Sequence, residues 1–112
     1  MYPFKLVTIE EFKENYKDRG AYQIIDVRED EELEVVSTPL AVHHPLSTFE
    51  PARIAEQIPK ETKLFILCRS GARSKRAALM LCQEGYTDVS NLEGGIIAWE
   101  SQGLPVDRSE DV

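Results

Sequence analysis

The chain has 112 residues, 42% of them hydrophobic and 29% charged, and it carries a formal net charge of −7 at pH 7. This length supports one domain with its own hydrophobic core and leaves no room for a second. The acidic balance argues against general binding to nucleic acid or to an anionic membrane surface. No apolar run approaches the roughly 20 residues that span a bilayer.

The cysteine count and the first residues bear on the compartment. The chain has two cysteines, Cys68 and Cys82, and its N-terminal segment lacks the apolar stretch of a secretory signal. A disulfide framework is not expected from such a pair. We therefore expect a cytoplasmic protein with reduced thiols, and neither nucleic acid nor a membrane among its partners.

The first elements are marked by a capping signal and two short apolar runs. Thr8 followed by Glu11 fits a capping box and predicts a helix that Gly20 ends. The run YQIIDV, residues 22–27, predicts a buried strand. The run AVHHPL, residues 41–46, predicts a strand at a sheet edge, because proline cannot donate a ladder hydrogen bond.

The second half alternates helices and strands more clearly. TFEPARIAEQI, residues 48–58, predicts a short helix, and KLFIL, residues 63–67, is the clearest buried strand. Small and apolar residues then repeat with helical period over residues 74–85. TDVSNL, residues 87–92, predicts another strand, and GIIAWESQG, residues 95–103, predicts a last short helix.

This alternation predicts an α/β fold. Its sheet would be mostly parallel, with about five strands and with helices on both faces. No internal repeat or linker divides the chain, so residues 1–112 are expected to form one domain, with a core over about 5–106 and a frayed polar tail at 107–112. Functional crevices in such sheets lie at the carboxyl ends of the strands, where Cys68 stands.

Cys68 lies where a strand meets a helix, and this position favours the thiolate. The first N–H groups of a helix have no internal partners, and the helix dipole adds roughly half a positive charge there. Arg69 and Arg73 add full charges, and Gly71 allows the loop to curl its amides inward. Because the thiolate is the nucleophile, the pattern predicts a nucleophilic cysteine acting on an anionic substrate, rather than a buried filler cysteine.

Two serines add hydrogen-bond donors to the same loop. Ser70 and Ser74 can both donate to a thiolate, and Ser74 can also cap the helix that follows.

Four motifs resemble those of the rhodanese family of sulfurtransferases, in the family's order. CRSGARS, residues 68–74, resembles its active-site loop, and IIDVRE, residues 24–29, resembles its Asp-Val-Arg signature. HHPLS, residues 43–47, resembles its Pro-Leu segment, and NLEGGIIAWESQGLPV, residues 91–106, is similar to its closing motif. The resemblance spans nearly the whole chain and implies a rhodanese-like fold.

The resemblance also implies a thiosulfate sulfurtransferase that works without a cofactor. Cys68 would take the outer sulfur of thiosulfate or a similar anionic donor as a persulfide, then pass it to cyanide, a thiol or a protein acceptor. Arg69 is the first candidate to recognise the donor's sulfonate; Arg73 would do the same or pair across the loop. The residues implied in binding the substrate and the persulfide are Arg69, Ser70, Gly71, Ala72, Arg73 and Ser74.

Four residues outside the loop are expected to support it. Asp26 and Arg28 match a family position usually interpreted as structural, so we expect them to brace neighbouring loops rather than to catalyse. Gly94 and Gly95 are expected to allow a close backbone approach beside the active-site loop.

The chain departs from the family pattern in one segment. Many relatives carry Gly-His-Ile-Pro-Gly-Ala, where this chain has VSTPLA, residues 36–41. Ser37 thus replaces the histidine and Leu40 the second glycine. No catalytic base is carried over at Ser37, and an ionised thiol needs none. The loop is expected to be reshaped, and donor or partner choice with it.

Two alternative functions remain. Cysteine phosphatases and arsenate reductases use a Cys-x5-Arg loop, whereas Cys68 to Arg73 is Cys-x4-Arg, a smaller cradle that suits one sulfur better than a phosphate. A rhodanese-like module could instead relay sulfur to, or regulate, a protein partner.

No metal site is expected in this chain. His43 and His44 are adjacent and would point to opposite faces of a strand, so that one packs and the other is solvated. Cys82 and Trp99 lie on the apolar faces of their helices and are predicted as core residues.

Overall fold

The computed structural model describes residues 2–109, which form a five-stranded parallel sheet with helices on both faces. The strands are β1 (Lys5–Thr8), β2 (Gln23–Asp26), β3 (Val36–Ser37), β4 (Ala41–His43), β5 (Leu64–Leu67), β6 (Val89–Glu93) and β7 (Asp107–Arg108). The helices are α1 (Ile9–Asn15), α2 (Asp30–Val35), α3 (Pro51–Gln57), α4 (Ser74–Glu84) and α5 (Gly95–Ser101), with a 3-10 turn at Leu46–Thr48. The predicted fold class is confirmed.

The sheet order is β1-β6-β5-β2-β4, so β5 lies at its centre. All four residues of β5 are fully buried, and they alternate between two apolar clusters. Leu64 and Ile66 pack under α3 and α4, whereas Phe65 and Leu67 face α1 and α5. A strand buried on both faces is apolar throughout, which is why LFIL is such a strong signal.

Helix α1 begins as predicted and ends earlier than predicted. Thr8 and Glu11 form the capping box, but the helix ends at Asn15 and not near Gly20. After the helix, the chain turns where Tyr22 Oη donates to the Lys17 carbonyl at 2.6 Å. The ring of Tyr22 packs edge-on to Phe65, so burial of an aromatic side chain sets the turn.

Strand β1 and helix α2 were not predicted. Strand β1 pairs with β6 at the sheet edge, and it alternates between exposed Leu6 and buried Val7 over a span too short to show periodicity. Helix α2 has the sequence DEELEV and buries none of its residues, so it has no apolar stripe. Its start is fixed by a capping box between Glu29 and Glu32.

The last described residues also differ from the prediction. Asp107 and Arg108 were placed in a frayed tail, yet they pair antiparallel with Ser37 and Val36. Arg108 also binds both carboxylate oxygens of Glu100, at 2.6 and 2.8 Å. Backbone pairing and this ion pair order the segment. Residues 110–112 of the predicted tail lie outside the described residues.

No helix within residues 2–109 is both long enough and apolar enough to cross a membrane.

Candidate active site

The loop between β5 and α4 is held by the turn between β6 and α5. The carbonyls of Cys68, Arg69 and Ser70 accept hydrogen bonds from the N–H groups of Ile96, Ile97 and Gly94, at 2.8, 3.3 and 3.2 Å. Because these carbonyls are engaged on the outside, the N–H groups of the loop are left to turn toward the sulfur.

The close approach of these two segments depends on glycine. Gly95 has φ +58°, and a Cβ there would lie 2.4 Å from the backbone of Arg69 and 2.5 Å from the Cys68 carbonyl. Gly94 has φ +95°, and its Cβ would meet that of Ala98 at 2.5 Å. Gly71, inside the loop, also has a positive φ, +102°. A side chain at Gly95 would therefore push the active-site loop away from its support.

Cys68 lies at the centre of the loop and is 1% exposed. The Gly71 N–H group donates to its Sγ atom at 3.1 Å. Burial raises the pKa of the Cys68 thiol, but hydrogen bonds from the Ser74 side chain and from the backbone of Ser74, Gly71 and Ser70 outweigh it. The net effect lowers the pKa below its ordinary value, which favours the thiolate.

Ser74 does not cap the helix as predicted. Arg73 occupies the capping position in helical conformation, and no side chain makes the capping hydrogen bond. The Ser74 hydroxyl is fully buried and donates instead to Oδ1 of Asn91 on β6. Asn91 was not among the predicted site residues, although a polar residue inside a buried strand was a visible signal.

Arg73 pairs across the loop, which was one of its two predicted roles. Its guanidinium makes two parallel hydrogen bonds to the Glu32 carboxylate of α2, at 2.6 and 2.7 Å. This contact lowers the pKa of Glu32 to about 2. It also raises the pKa of Arg73. Sequence alone could not find Glu32, because nothing local links it to a loop 41 residues away.

Arg69 and Ala72 are exposed parts of the loop. Within residues 2–109, the guanidinium of Arg69 makes no hydrogen bond and no ion pair. It lines a cavity of about 330 Å³ together with Ile97 of α5. Arg69 is therefore available to bind an anion.

Asp26 and Arg28 form a buried ion pair beside the site. Arg28 Nη2 lies 2.7 Å from Asp26 Oδ2, and both side chains are at most 3% exposed. The Arg28 carbonyl accepts from His43 Nε2 at 2.6 Å, and the Asp26 carbonyl accepts from the His44 N–H group at 2.9 Å. The backbone of these two residues thus joins the end of β2 to the end of β4 and the residue after it.

The prediction that one histidine packs and the other is solvated was wrong, because both are half-buried. His43 is held by the Arg28 carbonyl. Burial, followed by the charge of His43, lowers the pKa of His44.

The predicted core positions behave differently from one another. Trp99 is fully buried, and its indole N–H group donates to the Pro105 carbonyl. Cys82 is half-buried against the apolar cluster under α4, and burial raises the pKa of its thiol.

The fold is a parallel α/β sheet, and at the carboxyl end of its central strand a buried cysteine accepts a hydrogen bond from a loop amide. The chain belongs to the rhodanese-like domain family, whose model matches residues 8–102.

Relatives and a solved structure agree with this assignment. The chain is 40% identical over 97 residues to a sulfurtransferase of Allochromatium vinosum, covering 87% of this chain and 89% of that protein. It is 33% identical over 93 residues to YrkF, a putative sulfur carrier protein of Bacillus subtilis, covering 83% of this chain and 49% of the relative. A rhodanese-like domain protein from Staphylococcus aureus superposes with a TM-score of 0.74 and 32% identity, covering 86% and 91% of the two chains. The named relatives support a sulfurtransferase.

Proposed function

We propose that the protein transfers a sulfane sulfur from thiosulfate, or from a similar anionic donor, through a persulfide on Cys68. The observation that carries the proposal is the surrounding of Cys68: a buried sulfur with an N–H donor at 3.1 Å and a pKa lowered by hydrogen bonds that outweigh burial. The same donors that favour a thiolate also favour the anionic outer sulfur of a persulfide.

The first half-reaction loads the sulfur. The Cys68 thiolate attacks the outer sulfur of thiosulfate, and a new sulfur–sulfur bond forms to Sγ. The bond between the outer sulfur and the sulfonate sulfur breaks, and sulfite leaves with the electron pair. Arg69, whose guanidinium is free, would hold the sulfonate group by paired hydrogen bonds.

The second half-reaction unloads it. A thiolate or cyanide attacks the outer sulfur of the persulfide, and Cys68 leaves as the thiolate. The loop amides and the Ser74 hydroxyl stabilise the negative charge that returns to Sγ. The cycle needs no cofactor, because the sulfur moves between nucleophiles without net loss of electrons from the protein.

The supporting residues fit this cycle as structural elements. Asp26 and Arg28 would brace the loops around the site through their buried pair. Gly94 and Gly95 would keep the β6–α5 turn against the active-site loop.

The state of Arg73 argues against a phosphatase. A cysteine phosphatase needs its loop arginine to clamp two phosphate oxygens, but both hydrogen-bonding arms of Arg73 already bind Glu32. The six-residue loop from Cys68 to Arg73 also encloses less space than a Cys-x5-Arg loop.

A sulfur relay to a protein acceptor is the second candidate. The similarity to a putative sulfur carrier protein supports it. If a protein is the acceptor, the persulfide would form normally, but small thiols and cyanide would unload it poorly.

The compartment is a separate point. The two thiols form no disulfide, which fits a reducing compartment such as the cytoplasm.

Turnover with thiosulfate and cyanide tests the proposal. We expect thiocyanate formation, lost by about a thousandfold or more in Cys68→Ser and changed less than about twofold in the matched variant Cys82→Ser. Cys68-dependent hydrolysis of p-nitrophenyl phosphate without thiocyanate would overturn the proposal. A persulfide unloaded only by a protein acceptor would favour the relay.

A further inference from the structure

A buried asparagine lies behind the active-site loop and contacts it in two places. Asn91, on β6, is fully buried, and its Nδ2 group donates to the Gly71 carbonyl at 2.9 Å. Nδ2 also donates to Oε2 of Glu93, and Oδ1 accepts from the Ser74 hydroxyl. Gly71 and Ser74 are both donors to Cys68, so Asn91 touches the sulfur's hydrogen-bond shell from outside.

The neighbours of Asn91 determine how its amide is oriented. The Gly71 carbonyl and the Glu93 carboxylate can only accept hydrogen bonds, so the amide atom between them must be the NH₂ group. The amide oxygen then faces Ser74, and Ser74 must donate to it. The oxygen lone pairs of Ser74 then face Cys68 and can accept a hydrogen bond from its neutral thiol.

Ser74 has one proton and two acceptors that compete for it. With a neutral thiol, the chain of donors runs from Cys68 to Ser74 to Asn91 Oδ1. When the thiol proton leaves to solvent, the sulfur becomes the stronger acceptor, and the hydroxyl turns from Asn91 to Sγ. No covalent bond other than the S–H bond changes in this step.

We propose that Asn91 is a positioning residue for the chemistry of Cys68: its NH₂ group fixes the Gly71 peptide, and its oxygen holds the Ser74 proton until the sulfur becomes an anion. The inference rests on the proposed function only in so far as Cys68 is the reacting group.

The charged side chains around the loop have partners of their own, so the effect of Asn91 on the Cys68 thiol can be tested apart from the effect of nearby charges. Arg73 pairs with Glu32 of α2, and Lys75 Nζ of α4 lies 3.9 Å from Glu93 Oε1. On the β2 and β4 side, the charged and titratable side chains of Asp26, Arg28, Asp30 and His43 bond to one another or to the backbone rather than to the sulfur. The imidazole of His44, next to His43, is half-buried.

The test measures the pH dependence of Cys68 alkylation by iodoacetamide, in a Cys82→Ala background with one reactive thiol. Asn91→Asp keeps the shape, captures the Ser74 proton more strongly and cannot donate to Gly71. We expect the alkylation midpoint to rise by about one pH unit or more. Glu93→Gln removes one negative charge from the adjacent acceptor and serves as the charge control.

The double variant Asn91→Asp/Glu93→Gln restores the site's charge without restoring the lost hydrogen bonds. We expect it to keep more than half of the shift, and a midpoint equal to that of the unchanged protein would overturn the inference. In a Ser74→Ala background, the same double change should shift the midpoint, relative to Ser74→Ala alone, by at most half as much, because the competition for the proton is gone. A shift that persists in full would also contradict it.

A second measurement needs no substitution at Asn91. In the native chain, the side-chain NH₂ signals of Asn91 in nitrogen–proton NMR spectra should titrate with the same midpoint as Cys68. Signals that do not move would contradict the inference even where Asn91→Asp fails to fold. Failure of thiosulfate to load the native protein would instead overturn the proposed function and leave these thiol measurements valid.

Discussion

The two cysteines lie near opposite ends of helix α4, and their sulfur atoms have different hydrogen-bond partners. Cys68 lies before the first turn of α4, where N–H groups converge on its sulfur, whereas Cys82 lies in the last turn, packs against the apolar cluster under α4 and has its Sγ 3.8 Å from the Pro3 carbonyl. Burial raises the pKa of both thiols, but only Cys68 has donors enough to reverse the direction. Burial alone disfavours the thiolate, whereas added hydrogen bonds to the sulfur favour it.

Disturbing the contact between Gly95 and the active-site loop should have the largest effect on stability and activity. A methyl group at Gly95 would overlap the backbone of Arg69, so Gly95→Ala should lower the free energy of unfolding by about 3 kcal/mol or more. It should also displace the loop and abolish persulfide formation, while the Cys82 end is unaffected. Urea unfolding measures the first effect.

Gly103→Ala is the matched control for this prediction. Gly103 has a similar positive φ, +75°, but nothing lies within 4 Å of an added Cβ. Only backbone strain of about 1–2 kcal/mol is then expected, with activity retained. Equal losses in the two variants would show that strain, and not the contact with the loop, explains Gly95.

Breaking the ion pair between Arg73 and Glu32 should have a smaller effect on the free energy of unfolding. Glu32→Gln removes the charged partner of Arg73 and should cost about 0.5–1 kcal/mol of unfolding free energy at pH 7. Glu31→Gln, an exposed position on the same helix, should change almost nothing.

The pH dependence of this difference follows from the pKa of Glu32, which is lowered from 4.5 to about 2. A carboxylate with a depressed folded-state pKa stabilises the protein above its ordinary pKa and loses that contribution as the pH falls. The gap between the native chain and Glu32→Gln should therefore be full above pH 4.5, shrink as the pH falls from there and vanish only below about pH 2. A gap independent of pH would show that the ion pair is not its source.

The central elements could be predicted because their signals are local. Strand β5 is apolar at every position because both of its faces are covered, and Thr8 and Glu11 satisfy each other within one turn. Helix α2 could not be found this way, because it buries no residue and its acidic sequence has no period.

Within the site, the position of the active-site loop could be predicted from the sequence, but its side-chain contacts with Glu32 and Asn91 could not. Cys68, Gly71 and Ser74 follow one another in a recognisable strand–loop–helix sequence. Glu32 and Asn91 act on that loop through side-chain contacts across 41 and 17 residues, and no periodicity reports such pairs. The capping role expected of Ser74 was wrong because its hydroxyl binds Asn91 instead.

The central claim is that Cys68 carries the sulfur, and intact mass spectrometry of the native protein after incubation with thiosulfate tests it most directly. We expect one added sulfur, about 32 Da, which peptide mapping places on Cys68 and which cyanide removes. Cys68→Ser should gain nothing, and Cys82→Ser should gain the full increment. No added mass, or a sulfur carried on Cys82, would contradict the account.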